Sequence, residues 1–156
     1  MLRFYILPSL TMTRANAVFN QEVWALLRLY PAPRRWGLYG EWANADIKYP
    51  EVRTRRAEVL REIRGILRRV TVSGNNSLSI PLAKLSHSNP TLVFTECVKQ
   101  AMAYDNLIEA ISEAARGVTS LGYDVLVYEI LTAFGNSSKP RMKEDGTSVA
   151  MWLQSE

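Results

Sequence analysis

The chain has 156 residues, 47% of them apolar, and a formal net charge of +4, enough to bury one sizeable core and too little to promise two. No stretch reaches the ~18 consecutive apolar residues of a membrane span, and with Cys97 as the only cysteine no internal disulfide can form. The charge is lopsided: residues 1–70 carry 13 Lys and Arg against 6 Asp and Glu, and residues 71–156 carry 6 against 9. Such a distribution favours steering toward charged partners and says nothing of the fold.

Residues 2–7 read as a short helix that enters already apolar, as though continuing from a longer chain. Arg3, the apolar residues 4–7 and Ala15-Asn16-Ala17 outline a secretory leader. Pro8, Ser9, Thr11, Thr13 and Arg14 interrupt the ~7–15 residue apolar region that a leader needs. Over residues 17–30, Phe19, Val23, Trp24, Leu26, Leu27 and Tyr30 share one face of an amphipathic helix, which Pro31 and Pro33 stop.

The next run, Arg34-Arg35-Trp36-Gly37-Leu38-Tyr39-Gly40-Glu41-Trp42, is dense in aromatics. Beside two arginines such rings can stack nucleic-acid bases or present a partner patch. The reading preferred here is packing: Trp36, Tyr39 and Trp42 at three-residue steps make a short helix that plugs the gap between two long ones, since large aromatics carry most of the apolar area that a helical domain can bury.

Pro50 opens the longest helix, to about Val70, with Val52, Val59, Leu60, Ile63, Ile66, Leu67 and Val70 inward. Seven arginines share it, Arg53, Arg55, Arg56, Arg61, Arg64, Arg68 and Arg69, opposed by Glu51, Glu58 and Glu62. The arginine fork is always charged and binds phosphate or carboxylate at two points, so this helix is the candidate surface for RNA or an acidic partner. The candidate residues are Arg53, Arg56, Arg61, Arg64 and Arg68, joined by Lys139, Arg141 and Lys143 further on. The other reading is a solvated outer face on which Glu51 with Arg55 and Glu58 with Arg61 form ordinary helix pairs.

Ser73-Gly74-Asn75-Asn76-Ser77 is a loop, and residues 81–85 form a short helix leading into Lys84-Leu85-Ser86-His87-Ser88-Asn89-Pro90. Asn89 as cap and Pro90 at the first helical position start a helix to about Tyr104, with Phe94, Cys97, Val98, Ala101 and Met102 along one stripe. Asp105 caps another with Leu107, Ile108, Ile111, Ala114, Ala115 and Val118 inward. Thr119 or Ser120 starts one more, with Leu121, Val125, Tyr128, Leu131 and Phe134 on one side and Gly135-Asn136 as its stop. After a loop over residues 137–146, Thr147 begins a last segment whose Val149, Met151, Trp152 and Leu153 belong to the core.

The sum is an all-α chain of seven or eight helices. Short connections make neighbours antiparallel, so helix pairs stack as an α-solenoid or bundle. Chemistry is sparse: no phosphate-binding loop occurs, and one histidine and one cysteine are too few for a zinc site built from those residues. In Ser86-His87-Ser88 adjacent side chains diverge, so His87 is read as a packing residue that hydrogen-bonds the turn before Asn89. Glu109 and Glu113 are a solvated pair. These features point away from an enzyme, with no cofactor and no metal. The lone buried thiol fits a reducing compartment.

Several segments together resemble the THO complex subunit 2 family, the largest subunit of a nuclear assembly in messenger RNA packaging and export. They are Leu38-Tyr39-Gly40-Glu41-Trp42, the run from Lys84 to Pro90, Tyr104-Asp105-Asn106-Leu107-Ile108, Thr119-Ser120-Leu121 with Tyr123-Asp124-Val125-Leu126, Arg141-Met142-Lys143, and Trp152-Leu153-Gln154-Ser155. Their shared order covers nearly the whole chain, with departures in the loop at 73–77 and at Gly146. The resemblance implies a single helical-repeat domain over residues 1–156, part of a larger scaffold, stacked as a HEAT/ARM-like α-solenoid similar to the initiation factor 4G middle domain. It also implies a nuclear, non-enzymatic role beside other THO subunits, docking the export DEAD-box RNA helicase, with RNA as a further partner and no membrane.

Overall fold

The computed structural model describes residues 1–44, 49–73, 79–104 and 107–135, and every regular element among them is helical. A π-helical turn, Leu2–Ile6, runs into α1 (Leu7–Leu10) and a 3₁₀ turn, Thr11–Thr13. Leu7 and Leu10 are fully buried, and Arg3 pairs with Glu41, which ties this start to the helix spanning Ala32–Asn44. Arg14 and Ala15 reverse the chain in the left-handed region, at φ 48° and 67°.

Helix α2 (Ala17–Leu27) begins at Asn16, whose side chain accepts a hydrogen bond from the Phe19 amide at 3.0 Å. It ends three residues before the expected Tyr30, because residues 28–30 tighten into a turn whose amides bond back to Trp24, Leu26 and Leu27. Helix α3 (Ala32–Asn44) is longer than the expected aromatic plug. Its rings turn inward: Tyr39 and Trp42 are buried, and Tyr39 meets Tyr128 edge-on with centroids 5.9 Å apart. Gly40 admits the Tyr128 hydroxyl, since a Cβ there would stand 2.8 Å from it. Of the two readings of the aromatic run, packing is the one that the geometry takes.

Helix α4 (Pro50–Ser73) buries Val52, Val59, Ile63, Ile66, Leu67 and Val70 as the 3.6-residue period requires. Helix α5 (Ser79–Ser86) leads through a tight turn to α6 (Pro90–Ala101), followed by α7 (Leu107–Ala115) and α8 (Ser120–Gly135). Helix α6 is the central rod: α3, α4, α5, α7 and α8 all pack against it, while α2 packs on α8. Phe94 and Cys97 lie in the one large apolar cluster, and Val70, Leu107 and Ala110 form a small second one. Leu131, expected inside, is half exposed. Six residues past buried Val125, it has turned about 120° away from the core.

Two expectations about the turn before α6 are corrected. The Asn89 side chain does not cap α6: its Nδ2 donates to Ser88 Oγ at 2.8 Å, and its buried Oδ1 has no partner. The His87 ring does not bond that turn, whose amides are satisfied by the carbonyls of Lys84 and Leu85. The ring reaches across to the Gly117 carbonyl instead, Nε2 to O 3.0 Å. Next to it, buried Asn20 donates to the His87 carbonyl (2.7 Å) and accepts from the Thr119 hydroxyl (2.6 Å). One amide side chain of α2 thus joins the α5–α6 turn to the start of α8. Of the loop expected at 73–77, Ser73 is instead the last residue of α4, and 74–77 lie outside the described residues, as do the Asp105 cap, Asn136, the loop at 137–146 and the last segment with Val149, Met151, Trp152 and Leu153.

Candidate partner-binding surface

Helix α4 carries the candidate cations, and the structure sorts them. Arg53, Arg61 and Arg68 are exposed. At 100° per residue they fall within an arc of about 80° on one flank of the helix, about 12 and 10 Å apart along its axis. Glu51, Glu58 and Glu62 project from another flank, where Arg55 contacts Glu58 at 3.1 Å and Glu62 at 3.3 Å. This corrects the pairing expected from spacing alone: Glu58 and Glu62 converge on Arg55, three and seven residues along α4.

Two of the other candidates are engaged in the fold. Arg56 is half-buried and donates from Nη2 to the Ala43 carbonyl at 3.1 Å, placing a cation at the negative end of α3. Burial lowers its pKa from the usual arginine value. Arg64 meets Glu96 of α6 with both fork nitrogens, Nε at 3.0 Å and Nη2 at 3.1 Å. The Glu96 side chain is 11% exposed and that of Arg64 57%, so the pair anchors the acid and leaves the arginine at the surface. Lys139, Arg141 and Lys143 lie outside the described residues.

Two features of this surface were not singled out in the sequence. Glu96 stands next to Cys97 on the buried side of α6, and an acid flanking an apolar stripe is the signal that should have marked it for a partner. Tyr49, one turn before Arg53, is 48% exposed, and its carbonyl accepts the Arg53 amide at 3.2 Å. A second buried charge site lies across the molecule. Arg35 holds Asp124 of α8 with two bonds of 2.9 Å, the Tyr39 hydroxyl donates to the same carboxylate at 2.7 Å, and Arg35 also caps the Tyr30 carbonyl. Every fork of that arginine bonds within the fold.

The chemistry of the remaining groups is quiet. Burial, helped by neighbouring Glu96, pushes the Cys97 thiol up to about 12, so it stays protonated at neutral pH. A shallow groove of about 320 Å³ lies between α5 and α7; on its walls Arg116 pairs with Glu113 at 3.1 Å and His87 with the Gly117 carbonyl. Among the described residues no group of three His, Cys, Asp or Glu side chains is placed to hold a metal ion, and no helix is long and apolar enough to cross a membrane.

Comparison with known proteins divides the chain between two adjoining family models. Residues 1–77 match the THO complex subunit 2 N-terminus, and residues 82–155 match a transcription- and export-related complex subunit. The chain belongs to the THO complex subunit 2 family. It is 37% identical over 151 residues to THO complex subunit 2 of Homo sapiens, which covers 96% of this chain and 10% of the relative. The Arabidopsis thaliana relative of the same name is 34% identical over 150 residues, 96% of this chain and 8% of its own length. That of Saccharomyces cerevisiae is 28% identical over 156 residues, 98% of this chain and 10% of its own. The chain thus spans about a tenth of the length of the THO complex subunit 2 proteins that it matches.

Proposed function

We propose that this chain is a non-enzymatic scaffold module of a nuclear THO complex, stacked as a HEAT/ARM-like solenoid similar to the initiation factor 4G middle domain. It contacts other THO subunits and docks a DEAD-box RNA helicase during messenger RNA packaging and export. The observation that carries this reading is the match to THO complex subunit 2 along both halves of the chain. The mechanism is rigid positioning. A preformed helical face that binds one relative arrangement of the two ATPase lobes better than the others shifts their population, and so alters ATP turnover without touching the nucleotide.

Packing within the described residues supports this reading. Helix α6 is packed by five neighbouring helices, and the Arg64–Glu96 and Arg35–Asp124 forks fix α4 to α6 and α3 to α8. The test is a pull-down of the export helicase with the 156-residue chain, followed by its ATPase rate. Binding with a rate change of roughly fivefold or more is the expected outcome. No binding at micromolar concentration removes the docking role. A second reading is favoured by one observation, the arc of Arg53, Arg61 and Arg68, exposed and without a carboxylate partner among the described residues: α4 is a direct RNA surface.

A further inference from the structure

The basic arc of α4 has an aromatic ring at its N-terminal end. Tyr49 precedes the first helical residue, is held to the helix through the bond of its carbonyl with the Arg53 amide, and stands 48% exposed. Tyr49, Arg53, Ala57, Arg61, Gly65 and Arg68 follow one another at steps of four, four, four, four and three residues, a single row along the helix. Ala57 and Gly65 are exposed, and a Cβ at Gly65 would meet nothing within 4 Å, so the row is low between its long cations. Arg64 lies on the same flank but is already committed to Glu96.

We infer that this face binds single-stranded RNA without regard to sequence, with phosphates on Arg53, Arg61 and Arg68 and one base stacked on Tyr49. The inference rests on the RNA reading of α4 and names its ligand. Phosphates are recognised by the arginine forks, which carry no sequence information. A base is recognised by the ring, and every base has a face to stack, provided that it is unpaired. A duplex keeps its bases stacked on one another and can offer the row only its backbone. An acidic polypeptide would satisfy the arginines as well but would leave the ring without its flat partner.

The test uses the 156-residue chain and fluorescence anisotropy with oligouridine and oligoadenosine of about 15 nucleotides and an RNA duplex of similar length. Both single strands should bind, with closely similar affinity and more tightly than the duplex. Tyr49→Ala should weaken single-strand binding about tenfold and leave its salt dependence unchanged, while Tyr49→Phe retains the affinity. The triple change Arg53→Ala, Arg61→Ala, Arg68→Ala should make the slope of log affinity against log salt shallower by about 2. All four side chains are exposed, and a thermal melt checks that each variant is folded.

Failure of wild-type chain to bind any of the three RNAs overturns the RNA reading and this inference with it. Single-strand binding that survives the triple change in a folded protein overturns the placement on α4 alone. No loss in Tyr49→Ala, or an equal loss on duplex, overturns the stacking role. Polyglutamate bound more tightly than oligouridine at the same salt overturns the choice of RNA in favour of an acidic polypeptide.

Discussion

Asp124 and Glu129 both belong to α8 and both are withdrawn from solvent, yet they titrate in opposite directions. For Asp124 burial alone would raise the pKa, but the hydrogen bonds from Arg35 and Tyr39 outweigh it and hold the carboxyl below the ordinary range. For Glu129 burial dominates and raises it. An acid with a depressed folded pKa stabilises the fold above its unfolded pKa and loses that contribution as pH falls through the folded value. A raised one does the reverse, and its favourable state is lost as pH climbs. Asp124→Asn should therefore melt below the wild type at pH ~7, with the gap closing as pH drops under about 4. Glu129→Gln should melt above it at neutral pH, the advantage vanishing below about 4. Melts across this range decide both. Neither behaviour is legible in Tyr123-Asp124-Val125-Leu126, because the arginine that reverses Asp124 stands 89 residues earlier in the chain.

At the scale of elements, two outward arginines of α4 that stand only three residues apart differ in role. Arg61 and Arg64 are one turn apart on the same flank, but only Arg64 reaches Glu96. Arg64→Ala leaves a withdrawn carboxylate without its fork and should cost about 1–3 kcal/mol in chemical denaturation. Arg61→Ala should fall within about 0.5 kcal/mol of wild type. Equal losses would contradict this division of labour. Helix positions and their buried faces were readable because a 3.6-residue period is a local property, and α4 follows its pattern almost residue for residue. Which arginine is occupied depends on how α4 lies along α6, and no local pattern encodes that. The failed Asn89 cap has a local cause: its Nδ2 is held by Ser88 Oγ, and its Oδ1, the atom that would accept an α6 amide, is left without a partner.

The all-α class was legible along the described residues, since period, prolines and turn residues agree. Its centre was legible too: the helix launched at Pro90 is the rod against which five others pack. What stayed hidden is the joining of distant segments, above all at Asn20, whose partners stand 67 and 99 residues further along the chain. Replacing Asn20 by Ala strands the His87 carbonyl and the Thr119 hydroxyl, and the loss should be about 2–4 kcal/mol in equilibrium unfolding. A loss under about 0.5 kcal/mol would show that the joint is ornamental. The position of this joint also governs the order of events at the ribosome. Asn20 is translated 99 residues before the hydroxyl that it accepts from, so α2 emerges with a polar group that cannot yet be sealed. The first helices cannot complete this joint until the residues around Thr119 have followed them.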